Sequence, residues 1–174
     1  MPSLPASFKD KRRAVRDAIV AKLETVEGIG NVHPRIRWSS DPEAMKALVG
    51  FDDPRDAGTD RLAARYAYVM FDPFRDESET MACTAMMMTF RIGIVHSFVD
   101  ERADESNSTD DFDDLVADIA DAFRTDRHLG YDDLYHFLIQ GEQPVELELN
   151  KDGSPRGHFR ELTIEFDVGN GIAR

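Results

Sequence analysis

The chain is 174 residues long and 41% hydrophobic, with a formal net charge of −13 and a sequence pI near 4.7. That length fits one domain with a core of its own and is short for two. Because binding nucleic-acid phosphates requires a positive face, this composition argues against a nucleic-acid-binding protein, whereas it leaves room for basic protein partners.

The charged residues show a strong bias. Five lysines stand against sixteen arginines, and 22 aspartates stand against 12 glutamates. This bias is typical of a salt-adapted, halophilic proteome, although the excess of arginine also fits a GC-rich genome. The composition does not distinguish the two sources.

Neither a disulfide framework nor a targeting segment is predicted. The lone cysteine, Cys83, cannot form an internal disulfide, and we expect it in a buried strand. The first residues, MPSLPASFKDKRR, carry charges where a signal peptide has its apolar core, and no run approaches membrane-spanning length. We therefore expect a soluble protein that is intracellular when made and that does not contact a membrane.

The chain opens with residues 1–8, which contain two prolines and are predicted to form a flexible arm or a segment ordered only by a neighbour. A helix follows, because apolar residues recur at helical spacing at Val15, Ala18, Ile19, Leu23 and Val26. Its start is basic, with Lys9, Lys11, Arg12, Arg13 and Arg16. Positive charge at a helix N-terminus opposes the macrodipole, so these residues form either a solvated face or a docking patch for an acidic surface of another subunit.

A glycine turn, GIGN at residues 28–31, ends this helix, and a strand is predicted from Val32 to Trp38. These glycines follow a helix and precede a strand, whereas a nucleotide-binding loop follows a strand and precedes a helix, so no phosphate site is predicted. Residues 39–80 form an irregular excursion that holds a short apolar patch and one strand, RYAYVMF at residues 65–71.

The stretch from Thr84 to Phe98 is predicted to be the central strand. Its residues alternate, so that one face is apolar and carries Met88, Phe90, Ile92, Ile94, His96 and Phe98. Such a face must be covered, and the helical pattern that begins near Thr109 supplies the cover.

This second helix is predicted to be acidic on its outer face. Ser108 or Thr109 is the expected N-cap, and Asp110 and Asp111 are favourable in the first turn. The helix should bury an apolar stripe on the central strand, formed by Phe112, Leu115, Val116, Ile119, Ala122 and Phe123. The residues expected on its outward face are Asp113, Asp114, Asp118 and Asp121. The stretch ADESNSTDDFDD lacks the glycine and the register of an EF-hand, so no calcium site is predicted.

The C-terminal part is predicted to be a strand hairpin. Residues 131–140 fit a short helix or an edge strand equally well. Alternation then predicts strands over residues 145–149 and 162–168, joined by a long loop that extends through His158, and a loose tail over residues 169–174. The chain is therefore predicted to be a single α+β domain over residues 9–168, with an antiparallel or mixed sheet of four to five strands covered by two main helices, in the order α-β-β-β-α-β-β.

No residue pattern predicts catalysis. No serine or cysteine lies in a nucleophile motif, and the methionines of AMMMT and Trp38 are expected mainly in the core. The histidines lack the short spacing of a metal site; they are His33, His96, His128, His136 and His158. We therefore predict a protein that is not an enzyme and that has no cofactor, metal or catalytic site.

The element order resembles that of the tail-terminator proteins of long-tailed bacteriophages and archaeal tailed viruses, the lambdoid minor tail protein U group. The landmarks that carry this resemblance are KRRAVRDAIVAKLETV, TFRIGIVHSFV, DDFDDLVADIADAF and RELTIEFDV. They cover most of the chain, although residues 39–79 are longer than the family core requires.

The resemblance implies a virion structural protein without catalytic residues. Members of that family assemble as hexameric rings that end the tail tube and join it to the head. The implied partners are further copies of this chain, the tail tube protein and neck or connector proteins. DNA would pass through the lumen without specific binding, and the protein would reside in the tail or neck of the virion after assembly in the host cytoplasm.

The charges also predict a subunit interface. The contacts of a ring join two different faces, so a chain with one basic and one acidic surface is suited to closing it. We predict that Arg12, Arg13 and Arg16 of one subunit face the acidic helix of the next, through Asp110, Asp111, Asp113, Asp114, Asp118 and Asp121. The alternatives are a neck adaptor or stopper protein, which gene order would distinguish, and a small intracellular enzyme or ligand-binding domain.

Overall fold

A computed structural model describes residues 1–37, 40–41, 44, 47–48, 65–72, 86–97, 108–141, 145–148 and 155–168. These ranges contain two helices, α1 (Phe8–Leu23) and α2 (Ser108–Thr125). They also contain six strands, namely β1 (Asn31–His33), β2 (Arg65–Asp72), β3 (Met86–Ser97), β4 (Leu134–Gly141), β5 (Val145–Glu148) and β6 (Pro155–Val168). The predicted α+β class is confirmed, and β4 is the segment that the sequence left between helix and strand.

The six strands form one mixed sheet in the order β1-β2-β3-β6-β4, with β5 also paired to β6. Only the β1–β2 pair is parallel; the other described pairs are antiparallel. β3 lies at the centre, as predicted, and pairs along its full length with β6, from Met86 opposite Val168 to Ser97 opposite Gly157. β6 is therefore the strand that joins β3 to both β4 and β5.

Both helices cover the same face of the sheet. The predicted apolar side of β3 is buried at Met88, Phe90, Ile92 and Ile94, and β6 adds Leu162, Ile164 and Phe166. α1 contributes Val15, Ile19 and Leu23 to this core, and α2 contributes its predicted stripe, with Ala122 half-buried at the edge. Apolar residues recur every second position in the strands and about every 3.6 positions in the helices. They therefore meet in one core layer between the sheet and the two helices.

A short polar side chain caps the start of α1. Ser7 Oγ accepts a hydrogen bond from the backbone N–H of Asp10 at 3.2 Å, which satisfies one of the free donors of the first turn of α1. α2 carries Asp110 and Asp111 in its first turn, where negative charge is favourable.

The predicted glycine turn after α1 is confirmed. Gly28 and Gly30 have φ angles of +80° and +73°, a region that glycine adopts without steric cost. A Cβ atom at Gly30 would overlap the backbone carbonyl of Arg65. Glycine therefore lets the chain pass close to the start of β2, where β1 then pairs with it.

Two predicted strand boundaries were wrong. β1 ends at His33 and does not reach Trp38, because Pro34 has no N–H to donate to a ladder. β6 begins at Pro155, so His158 lies in a strand opposite His96 and not in a projecting loop. The alternation of apolar and polar residues alone cannot predict where a strand ends, because pairing with a neighbouring strand also determines its length.

The segment before α1 lies against the turn between α2 and β4. Leu4 is 7% exposed, and its backbone N–H donates a hydrogen bond of 2.8 Å to Asp133 Oδ1. The backbone N–H of Asp132 donates one of 3.3 Å to the carbonyl of Pro2. These contacts give the segment a docked position, where the sequence predicted a flexible arm over residues 1–8.

Several predictions lie outside the described residues. They concern Cys83, Trp38, most of the irregular excursion at residues 39–80, and the tail at residues 169–174.

Candidate functional site

The outer face of α2 is the acidic surface that the sequence predicted. Its six predicted aspartates are exposed, at positions 110, 111, 113, 114, 118 and 121. Asp113 forms an ion pair of 2.9 Å with Arg160 of β6, and Asp121 forms one of 2.7 Å with Arg124 one turn later. The first pair ties the helix to the sheet, whereas the second stays on the exposed helix surface.

A groove lies between the turn that follows α1 and the middle of α2. Two adjoining cavities, of about 340 Å³ and about 190 Å³, form it and share Glu27 and Asp118 in their walls. We call it the α1–α2 groove. Its floor is apolar, through Val26, Leu115 and Ala122. Lys22 Nζ lies 3.5 Å from Asp126 Oδ2 and joins the C-terminal ends of the two helices beside it.

The rim of the α1–α2 groove is acidic. Glu27, Asp114 and Asp118 line it and are exposed. Within the described part of the chain, these three carboxylates form no ion pair and no hydrogen bond. The groove therefore combines an apolar floor with an excess of carboxylates over the one guanidinium, that of Arg65, in its wall.

Two strand residues, Arg65 of β2 and His96 of β3, line the smaller cavity. Arg65 Nε donates a hydrogen bond of 2.6 Å to Nε2 of His96, whose ring is buried. The ring of Phe112 stacks on that of His158, with centroids 5.2 Å apart, and lies 6.1 Å from that of His96. Sequence reasoning missed this pair of histidines, because only the β3–β6 register places them opposite each other.

The predicted basic partners of the acidic helix have contacts within the chain. Arg13 lies 3.8 Å from Asp10, and Arg16 lies 2.9 Å from Asp17. The guanidinium of Arg12 lies 5.2 Å from the centre of the Phe71 ring. An intermolecular pairing of these arginines would have to replace such contacts, although exposed ion pairs are individually weak.

A second basic segment follows β1 directly. Arg35, Ile36 and Arg37 are all exposed, and Ile36 is 37% exposed, which places it among the few large apolar side chains on the described surface. Neither arginine forms an ion pair or hydrogen bond in the described structure. The register of β1 with β2, from Asn31 opposite Tyr66 to His33 opposite Tyr68, carries this segment away from Arg65 and from the α1–α2 groove.

The other face of the sheet holds an ion-pair network across three strands. Arg91 of β3 donates hydrogen bonds of 2.8 Å and 2.6 Å to Asp72 Oδ2 and one of 3.2 Å to Glu161 Oε1. The side chain of Asp72 is only 5% exposed, so Arg91 stabilises a negative charge that is largely removed from water. Burial raises the pKa of Tyr68 on the same face, and the nearby charge of Glu161 raises it further.

Neither a metal-binding cluster nor a membrane-spanning helix occurs among the described residues. No three histidine, cysteine, aspartate or glutamate side chains among them converge as a metal ion would require. Neither described helix has the length and apolar character needed to cross a membrane.

No protein-family model matches the chain, and a search of curated proteins found no match.

Proposed function

We propose that this protein is a virion structural subunit that ends the tail tube of a tailed virus and joins it to the neck. In this role copies of the chain form a ring, with six as the expected number, and DNA passes through the central hole. The observation that carries the proposal is the order of the elements, in which an opening helix, a long central strand, an acid-capped helix and a closing strand follow one another as in the tail terminators.

The charge distribution supports this role. The net charge of −13 repels polyanions, so an acidic lumen would let duplex DNA pass without holding it. Neighbouring subunits and the tail tube protein would be the binding partners, and no chemical step is required of the protein.

Electron microscopy and mass measurement of the purified chain test the proposal. We expect closed rings with a hole wide enough for duplex DNA, and addition of these rings to growing tail tubes should stop elongation. A chain that remains monomeric at all accessible concentrations, or rings that bind duplex DNA tightly at moderate ionic strength, would contradict it.

A further inference from the structure

We propose that the exposed segment Arg35–Ile36–Arg37 of one copy docks into the α1–α2 groove of the next copy. This inference rests on the proposed ring, and it names the two surfaces that would build it. It also replaces the basic partner that the sequence predicted, since Arg12, Arg13 and Arg16 have contacts inside the chain.

The two surfaces are complementary in charge. The segment presents two guanidinium groups, and the groove presents the carboxylates of Glu27, Asp114 and Asp118. None of these side chains forms a direct ion pair or hydrogen bond within the described structure, although Arg65 also lines the smaller cavity. Guanidinium groups bind carboxylates through paired hydrogen bonds, so two arginines facing three carboxylates define both affinity and orientation.

The surfaces are also complementary in polarity. Ile36 lies between the two arginines and exposes apolar area to solvent, whereas Val26 and Leu115 in the groove floor are already buried and Ala122 is half-buried. An isoleucine inserted there would remove its own apolar surface and the exposed part of Ala122 from water. The cavity of about 340 Å³ has room for such a side chain with part of its neighbours. The apolar contact also matters at high salt, where exposed ion pairs are heavily screened.

The placement of the two surfaces determines the symmetry of the assembly. The segment leaves the sheet at the edge strand β1, whereas the groove lies beyond the start of β2, so they are different patches of one molecule. When each copy makes this contact with a different neighbour, the contact is heterologous, and its repetition gives a closed ring or an open filament. The same contact cannot produce a two-fold dimer unless it is made twice.

Charge reversal in the full-length chain tests this docking. The segment variant carries Arg35→Glu and Arg37→Glu, and the groove variant carries Asp114→Lys and Asp118→Lys. At about 0.1 M salt, where the screening length is about 10 Å, we expect each variant alone to associate at least about tenfold more weakly than the parent. An equimolar mixture should form rings again, because each subunit then meets a neighbour of opposite charge on both sides. Mass photometry and analytical ultracentrifugation measure both results.

A control variant distinguishes this docking from the earlier pairing. Arg13→Glu with Arg16→Glu reverses the same number of charges on α1, and we expect it to assemble like the parent. All the substituted residues are exposed or half-exposed, so circular dichroism and the unfolding midpoint should match those of the parent.

The outcomes separate the two proposals. Parent rings that persist in the segment variant, or a mixture that stays monomeric, would overturn the docking and leave the ring proposal standing. Loss of rings in the control variant alone would favour the α1 arginines. A parent chain that forms no oligomer would overturn both proposals. A segment variant that still forms rings but no longer joins tail tubes would show that the tube protein, and not a second copy, is the occupant.

Discussion

At the residue scale, Tyr68 shows how the register of two strands decides what a side chain can do. Its ring lies over Gly93, the residue opposite it on β3, where a Cβ atom would overlap the ring. Tyr66 lies on the same strand face, with its ring centre 6.4 Å from that of Tyr68. Burial raises the pKa of both phenols. Because Gly93 has no side chain, the Tyr68 ring fits over it and is half-buried on the polar face of the sheet.

These two tyrosines predict a loss of stability in alkali. The unfolded phenols ionise near pH 10, while the folded ones still hold their protons, so rising pH favours the unfolded state above that value. We expect the variant Tyr66→Phe with Tyr68→Phe to lose less stability than the parent between about pH 10 and pH 12, by under about 1 kcal/mol per half-exposed ring. Urea unfolding at a series of pH values measures this. An identical decline in both proteins would contradict the assignment.

Residues also show where sequence reasoning stops. The role of Gly93 could not be predicted from the sequence, because Tyr68 becomes its neighbour through pairing between distant segments. The network of Arg91, Asp72 and Glu161 depends on three strands coming together, and no local pattern reveals it. The faces of β3 and of α2 were predictable, since each is encoded by a period within one element.

At the scale of elements, the two helices and β3 followed from their patterns, whereas the start of β6, the end of β1 and the conformation of β4 did not. β4 contains aromatic and aliphatic residues in the order LYHFLIQG, which satisfies neither period cleanly, and its pairing to β6 decides its conformation. The α1–α2 groove was not predictable either. It joins the turn after α1 to a helix far along the chain, and only the shared core brings the two together.

The docked position of the N-terminal segment can be tested by a single substitution. Leu4 is buried in the core cluster, so Leu4→Ala should lower the free energy of unfolding by about 2 kcal/mol. Ser3→Ala is the matched control, because Ser3 is exposed, and its effect should stay within about 0.5 kcal/mol. Urea unfolding of both variants supplies the comparison. If Leu4→Ala is as stable as the parent, the segment behaves as the flexible arm that the sequence predicted.

At the scale of the whole molecule, the net charge of −13 affects stability as well as partner choice. Exposed carboxylates repel one another in the folded state, and salt weakens that repulsion. Raising sodium chloride from about 0.1 M to about 1 M shortens the screening length from about 10 Å to about 3 Å. We therefore expect the thermal midpoint to rise over this range.

The acidic helix provides the control for this prediction. A variant with Asp114→Asn and Asp118→Asn removes two charges from one surface. It should melt at a higher temperature than the parent at low salt and gain less from added salt. A parent midpoint that falls or stays level as salt is added would show that self-repulsion is not what limits stability.

The position of β6 has a consequence for how the protein is made. This strand is the last described one in the chain, yet it holds β3, β4 and β5 in place. While the nascent chain emerges from the ribosome, one edge of β3 lacks its longest partner strand until residues 155–168 have been translated. Polypeptides released early by a premature stop codon therefore lack the framework of the domain, so we expect such truncated products not to fold.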